Sequence, residues 1–377
     1  MADLHTVING IHFANPVLPA AGPNVRTGRL MAEAAAGGAG GIVAKTISTA
    51  AANDKRPSIR RMTNGGLVNC ETWSEIPVEE FLTDLAGAKA TGLPLIVSIG
   101  YSPEDVHLLG SLIEREIAPD AFEFSTHYTG RGIDPLVDVA RSLRETVDVP
   151  IWMKISPGFP DIDMLAAAAA PFVDAFVAIN SVGPVLDFDP ENPERILGSL
   201  RGTGWMSGPP IRPIALEIVN RLAASFDKPV IGVGGVETGR DAIQFLMAGA
   251  VAVEVCTAAI EKGNGVYGTI ASQIGAWLDE HGYSSPEQIR GAYRASMTLE
   301  TAGDSRETEV VGVSPIREAR MTVIPDLCTA CKACVSRCVQ GAISMDEIAQ
   351  IDVERCIGCG YCQDSCRFGA MSLKTVS

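Results

Sequence analysis

Cys328, Cys331, Cys334 and Cys338 form a C-x2-C-x2-C-x3-C run, and Cys356, Cys359, Cys362 and Cys366 repeat it at a fixed offset. The flanking sequence repeats with them, Gly341-Ala-Ile-Ser being answered by Gly369-Ala-Met-Ser. Three thiolates on tight turns can face one iron–sulfur cubane, while the fourth, further along, reaches the neighbouring cluster. The spacing therefore predicts two [4Fe–4S] clusters. Cys328, Cys331, Cys334 and Cys366 would hold one, and Cys356, Cys359, Cys362 and Cys338 the other. Paired CxxC motifs also build zinc ribbons, the competing reading, but zinc does not call for the triple spacing twice. The proline that commonly follows the fourth cysteine is absent, with Val339 and Arg367 in its place. Proline there shapes backbone without binding iron, so the ligand sets stand.

The second group of chemically suggestive residues lies at the ends of apolar runs. Lys45 and Lys154 each close a string of buried-type residues, where an unpaired ammonium is costly. They are either site residues or rim salt bridges. Gly234-Gly235 precedes a helical stretch over 240–247, and free backbone N–H groups at such a turn suit a phosphate. Strand ends also deliver His127-Tyr128, Asn180-Ser181 and Cys256-Thr257.

These residues need a frame that brings strand ends together. Eight short apolar runs, at 17–21, 41–46, 93–99, 121–125, 150–155, 175–180, 228–233 and 250–255, alternate with helical patterns. Near-continuous strings such as Leu95-Ile-Val-Ser-Ile suit parallel strands covered on both faces. Eight βα units predict a TIM (β/α)8 barrel over 1–300, with a doubly wound open sheet as the alternative. No GxGxxG follows the first strand, which weakens that alternative. The polar stretch 301–320 reads as a linker, and 321–377 as a small α+β ferredoxin-like module of the bacterial two-cluster type.

Composition fits this two-part frame. The chain has 377 residues, 46% hydrophobic and 20% charged, long enough for a sizeable core without disulfides. With two cysteines in its first 327 residues, it is no disulfide scaffold. A formal charge of −15 disfavours nucleic acid and anionic membranes as partners. The first residues carry no signal-peptide pattern, and the most apolar run is too short to span a bilayer. A reducing, cytoplasmic location is expected.

The chain resembles the FMN-containing and C-terminal iron–sulfur portions of dihydropyrimidine dehydrogenase, and more broadly the class 1 dihydroorotate dehydrogenases. The motifs that carry the resemblance run in order along nearly the whole chain. They are Phe13-Ala-Asn-Pro, Ala44-Lys-Thr, Asn69-Cys-Glu, Ser207-Gly-Pro-Pro-Ile-Arg-Pro-Ile-Ala-Leu, Gly232-Val-Gly-Gly and Val255-Cys-Thr-Ala. The string starting at Ile211 leans toward the dihydropyrimidine branch. The resemblance implies an FMN site at Ala21, Gly22, Lys45, Thr46, Lys154, Asn180, Ser181, Gly208, Gly234, Gly235, Cys256 and Thr257. Within it, backbone groups of Gly234, Gly235, Cys256 and Thr257 would hold the phosphate. Lys154 would lie by the ring's N1/C2 edge and stabilise its reduced form. Asn69, Asn180 and Ser181 match positions that bind a substrate's amide or carbonyl edge.

One segment departs from the family. Where relatives carry Asn-Leu-Ser-Cys-Pro, with Cys or Ser as proton donor, this chain reads Glu123-Phe-Ser-Thr-His-Tyr-Thr-Gly. Ser125 then stands at the substrate-binding asparagine and Tyr128 at the acid. Tyrosine, with a pKa of about 10, and histidine, near 6.5, can both deliver a proton. Tyr128, then His127, are the expected acids, with Lys45 a third catalytic candidate.

The expected activity is an FMN- and iron–sulfur-dependent oxidoreductase acting on a CH–CH or C=C bond conjugated to a carbonyl in a small cyclic substrate. Electrons would pass between a partner, the clusters and FMN. No nicotinamide-binding domain is visible, so the partner would be an NAD(P)H:FAD subunit or a ferredoxin. A homodimer is expected by analogy. An ordinary dihydropyrimidine dehydrogenase subunit and an electron-transfer subunit with a non-catalytic barrel are the competing readings.

Overall fold

The computed structural model describes residues 1–125, 132–194, 196–295 and 319–375. The chain divides into two compact units, Met1–Glu300 and Thr301–Ser377.

The larger unit opens with a hairpin of β1 (Thr6–Ile8) and β2 (Ile11–Phe13). The eight apolar runs become β3 (Val17–Pro19), β4 (Ile42–Ile47), β7 (Leu95–Ile99), β8 (Ala121–Ser125), β9 (Ile151–Ile155), β10 (Ala175–Ala178), β13 (Val230–Val233) and β14 (Ala252–Val255). They form one parallel sheet in the order β3-β14-β13-β10-β9-β8-β7-β4. Gly40 N, two residues before β4, donates to Val17 O of β3 at 2.8 Å, so the two ends of the sheet meet in a TIM-like barrel. Helices follow the strands: α1 (Gly28–Ala36), α2 (Val78–Lys89), α3 (Pro103–Ile117), α4 (Asp134–Arg144), α5 (Ile162–Ala169), α6 (Arg212–Ser225), α7 (Gly239–Ala248), α8 (Thr257–Lys262) and α9 (Val266–Glu280). The Ser102-Pro103 start of α3 is capped as its sequence suggests, with Ser102 Oγ accepting from Asp105 N at 3.1 Å.

Strand alternation sorts the barrel residues into two sets. One set, with Phe122, Phe124 and Phe176, packs outward against helix residues such as Phe81 and Phe245, all five fully buried. The other fills the interior, where Leu18, Val43, Ile96, Trp152, Ile231 and Ala252 form an apolar layer. The β1–β2 hairpin plugs it from below. Ile8 and Phe13 join this cluster, and Asn9 Oδ1 accepts from Trp152 Nε1 at 3.0 Å.

A four-stranded antiparallel sheet stands apart from the barrel strands: β11 (Val182–Val185), β12 (Gly204–Ser207), β6 (Leu67–Asn69) and β5 (Ile59–Arg61), in that order. Its strands grow from loops that leave the carboxyl ends of β4 and β10. Arg60 pairs with Asp187 at 2.8 Å and so ties two of those loops together.

In the smaller unit, β15 (Ala319–Val323) pairs antiparallel with β18 (Met371–Thr375), and β16 (Ile343–Met345) with β17 (Ala349–Ile351). Two short helices, α10 (Ala333–Arg337) and α11 (Tyr361–Asp364), occupy equivalent places in the two sequence repeats. Ala319 and Arg320 belong to β15, so the module begins before residue 321; the rest of the expected linker, 301–318, lies outside the described residues.

Candidate functional site

Two residues beyond the apolar interior layer, the side chains change character. Val43, Ile96, Ala121, Trp152 and Ala252 are followed, at the next inward position, by Lys45, Ser98, Glu123, Lys154 and Glu254, all buried. This polar layer borders a cavity of about 680 Å³ at the carboxyl ends of the strands, where barrel chemistry resides. Ala21, Gly22, Lys45, Thr46, Asn69, Ser125, Lys154, Asn180, Ser181, Gly208, Gly234, Gly235, Cys256 and Thr257 all line it. His127 and Tyr128 lie outside the described residues.

Lys154 does not stand alone. Its Nζ lies 3.0 Å from Glu123 Oε1 and 2.8 Å from Glu254 Oε2. Both glutamate side chains are 0% exposed and the lysine 6%. Burial opposes the ammonium, but the two carboxylates outweigh it and hold the Lys154 pKa above the ordinary range. Burial and the nearby Glu123 push Glu254 up to about 8. Lys45 has the opposite balance. Its burial outweighs Glu71, 3.8 Å away, and lowers its pKa, while Nζ donates to Thr72 O at 3.3 Å.

Glu123 entered the sequence reading only as an anchor for its loop, and Glu254 not at all. The signal was available. A glutamate inside Ala252-Val-Glu-Val is as costly to bury as a terminal lysine and calls for a partner in the same way.

The amide side chains are anchored locally. Asn69 Nδ2 donates to Trp205 O at 3.1 Å and its Oδ1 accepts from Glu71 N at 3.3 Å. Asn180 Oδ1 accepts from Ser181 N at 2.8 Å. Thr257 and Ser207 hydroxyls meet at 2.8 Å. Cys256 Sγ donates to Asn24 Oδ1 at 3.1 Å, and burial pushes its thiol up to about 11. Its sulfur therefore has a structural place beyond that of its backbone.

The glycine turn needs its glycines. Gly234 and Gly235 have φ of +127° and +75°, and a Cβ on Gly235 would stand 2.7 Å from Gly208 O. One expectation is corrected here. In the first turn of α7, the amides of Gly239 and Asp241 are not free for a phosphate, because side chains take them. Thr238 Oγ1 accepts from Asp241 N at 3.3 Å, Asp241 Oδ2 accepts from Glu237 N and Thr238 N, and Gln273 Oε1 accepts from Gly239 N at 2.7 Å. Such a capping box satisfies the helix end from within. Arg212 locks it further, pairing with Asp241 at 2.7 Å and donating to Gly235 O at 3.2 Å.

In the smaller unit, Cys328, Cys331, Cys334 and Cys366 line one small cavity together with Met345, Ala349 and Phe368. Cys338 Sγ accepts from Ala342 N at 3.2 Å, and Cys366 Sγ from Ala370 N at 3.3 Å, the same bond in each repeat. Among the described residues, no three His, Cys, Asp or Glu side chains are arranged around a single metal ion.

Comparison with known proteins gives this geometry a family. A model described as dihydroorotate dehydrogenase matches residues 133–278, and one described as 4Fe-4S binding domain matches 349–372. The chain is 36% identical over 295 residues to the dihydroorotate dehydrogenase B (NAD(+)) catalytic subunit of Pyrococcus abyssi, an alignment covering 75% of this chain and 96% of the relative. The proteins of the same name from Pyrococcus furiosus and Thermoplasma acidophilum are 35% and 30% identical, over 75% and 77% of this chain and 96% and 99% of theirs. The chain belongs to the dihydroorotate dehydrogenase family. It is an oxidoreductase of the class that acts on CH–CH bonds, carrying a 4Fe-4S binding segment at its C-terminal end.

The relatives are dihydroorotate rather than dihydropyrimidine dehydrogenases, against the leaning drawn from the Ile211 string. In the structure the string has a packing role. Ile211 and Ala215 sit 3.2 and 3.0 Å from where a Cβ on Gly234 would be, and Arg212 2.9 Å from one on Gly235. The string packs against the glycine turn, and Ile211 also lines the cavity.

Proposed function

We propose that the barrel cavity binds FMN and a small cyclic substrate in which a C–C bond is conjugated to a carbonyl. The chain interconverts the CH–CH and C=C forms while exchanging electrons with a partner protein. The observation that carries this reading is the gathering of two buried lysines, two glycine-built turns and an amide-bearing wall around one cavity of flavin-holding size. Bound FMN would supply hydride transfer and the exchange between single electrons and electron pairs, the 4Fe–4S segment single electrons only.

The residues divide the work by position. Amides of Gly234, Gly235, Cys256 and Thr257 take the phosphate, since side chains already use the Gly239 and Asp241 amides in the first turn of α7. Lys154 presents a fixed positive charge to the carbonyl edge of the ring, its orientation set by Glu123 and Glu254. Lys45 and Thr46 stand at the end of β4, where Thr46 is held by Ser98 at 2.8 Å. Asn69, Asn180 and Ser181 are anchored by local side-chain bonds and keep further hydrogen-bonding capacity for a substrate's carbonyl or lactam edge. Ser125, at the end of β8, joins that wall. Proton transfer to carbon is assigned to Tyr128, with His127 next in line.

The two cysteine repeats are assigned two [4Fe–4S] clusters, with Cys366 completing the first set and Cys338 the second. Cys328, Cys331, Cys334 and Cys366 around one cavity support that crossed pairing. The relatives' names contain the words catalytic subunit and NAD(+), which supports a second subunit handling nicotinamide; a ferredoxin is the alternative partner.

Anaerobically purified protein should hold FMN and about eight irons per chain. Once reduced, its flavin should be reoxidised by one member of a panel of orotate, cyclic enones, lactams and pyrimidines. Orotate comes first because the relatives' name points to it. In Tyr128→Phe, reoxidation should slow by about two orders of magnitude or more at unchanged flavin content. Protein without flavin and iron would sink the proposal, and unaltered reoxidation in the variant would move the proton to His127.

A further inference from the structure

Glu123, Lys154 and Glu254 form a floor beneath the cavity, and their charges do not balance. Two carboxylates meet one ammonium, all buried. With all three ionised, the floor would carry a net negative charge away from solvent, which is expensive. Among the described residues, the neighbours of Glu254 do little to offset it. Strand register sets Glu254 beside Leu18 on β3 and Val233 on β13, and neither titrates. Along the inward face of its own strand come Ala252 and Cys256, whose thiol stays neutral to about pH 11. Lys45, nearby, is already matched by Glu71 at 3.8 Å. Lys154 reaches both carboxylates through one nitrogen, and Glu254 Oε1 has no hydrogen-bond partner. One proton on Glu254 neutralises the floor.

We propose that Glu254 is a proton store coupled to the redox state of the ring bound above it, acting through Lys154 as a positioning residue. This rests on reading the cavity as an FMN site. Negative charge appearing beside Lys154 competes for its field and repels the carboxylates, and both effects tighten proton binding at Glu254. Burial and Glu123 already raise the Glu254 pKa to about 8, and with the ring oxidised it gives up its proton at the lower pH of the two states. With the ring reduced, it keeps that proton to higher pH. Between the two values, each two-electron reduction draws one additional proton from solvent onto Glu254. The electrons come from the external reductant, and the proton offsets the negative charge that they bring, so ring and floor together keep the same net charge.

The test is a spectroelectrochemical titration of the flavin in the holoenzyme from pH 6 to 10, wild type against Glu254→Gln. Below about pH 8 the two potentials should run parallel. Above it, the wild-type potential should fall more steeply, by an extra tenfold in the reduction equilibrium per pH unit, about 30 mV. Glu254→Asp, which keeps a titrating carboxyl, should restore the break at a shifted pH. Equal slopes throughout would overturn the proposal. Infrared difference spectra of flavin-free protein give a second measure. A protonated carboxyl band present at pH 6 and lost by pH 10 should be missing from Glu254→Gln, and its absence from wild type would also overturn the proposal. Failure to bind FMN would sink the site reading instead, and the infrared titration would still decide where the proton sits.

Discussion

The two units solve the same problem of burying a reactive centre with very different means. The barrel has a double core, with eight aromatic side chains in its fully buried set, and among them it accommodates four buried charged groups on its upper layer. Among its described residues the small unit buries eight apolar side chains, Met321, Cys334, Ala342, Ile343, Ala349, Cys362, Ala370 and Met371, and two of these are cysteines that the spacing assigns to clusters. A core that small does not hold fewer than sixty residues unaided. In the barrel, packing is the foundation and the charged floor rests on it. In the small unit, the cysteines and what they bind serve as the foundation.

The largest effect that tests this contrast is removal of iron. Chelation under reducing conditions should abolish cooperative structure in residues 319–375, because the folding free energy of such modules resides largely in metal binding. Hydrogen exchange should show the amides of β15 and β18 losing protection, while those of β7, β8 and β9 keep theirs. Retained protection in the small unit after iron loss would break the comparison.

A smaller effect is expected from Lys154→Met. Removing the ammonium leaves Glu123 and Glu254 facing each other without their shared partner, and breaking a buried ion pair on one side costs about 3–5 kcal/mol. Urea unfolding of the barrel transition should register that loss, with the small unit's iron content unchanged. A loss below about 1 kcal/mol would mean that the two carboxyls share a proton without help from the lysine.

What the sequence made legible follows the same physical divide. Parallel strands buried on both faces announce themselves as apolar runs, so all eight barrel strands could be read, with ends displaced by at most a residue or two. The β5–β6–β11–β12 sheet could not. Its strands have three or four residues, such as Ile59-Arg-Arg, too short and too polar to show a period. The β1–β2 hairpin has the same difficulty. The site was legible where cost is local, as for a lysine closing an apolar strand or a paired glycine at a turn. It was not legible where the reason is tertiary. Nothing near Glu254 in sequence announces that Glu123 and Lys154 will face it across the barrel, although the expense of burying it was there to be noticed. The capping of α7 was missed for a related reason: Thr238 and Asp241 do spell a cap, but the glycine pair before them drew the phosphate reading onto the whole helix end.

That last distinction gives the smallest and sharpest prediction, because it separates two neighbouring features of one segment. Thr238→Ala removes the cap oxygen and should cost about 1 kcal/mol of stability, leaving FMN affinity in reconstituted protein unchanged. Gly235→Ala, three residues earlier, asks for φ of +75° with a Cβ 2.7 Å from Gly208 O. Backbone strain of about 1–3 kcal/mol at the phosphate turn should weaken FMN binding by about tenfold or more. Fluorescence titration of flavin-free protein with FMN measures both. If Thr238→Ala weakened binding as much as Gly235→Ala, the phosphate would rest on α7 after all, and the helix end would have two duties. If only Gly235→Ala does so, the turn alone carries the ligand, and the cap belongs to the scaffold that holds it still.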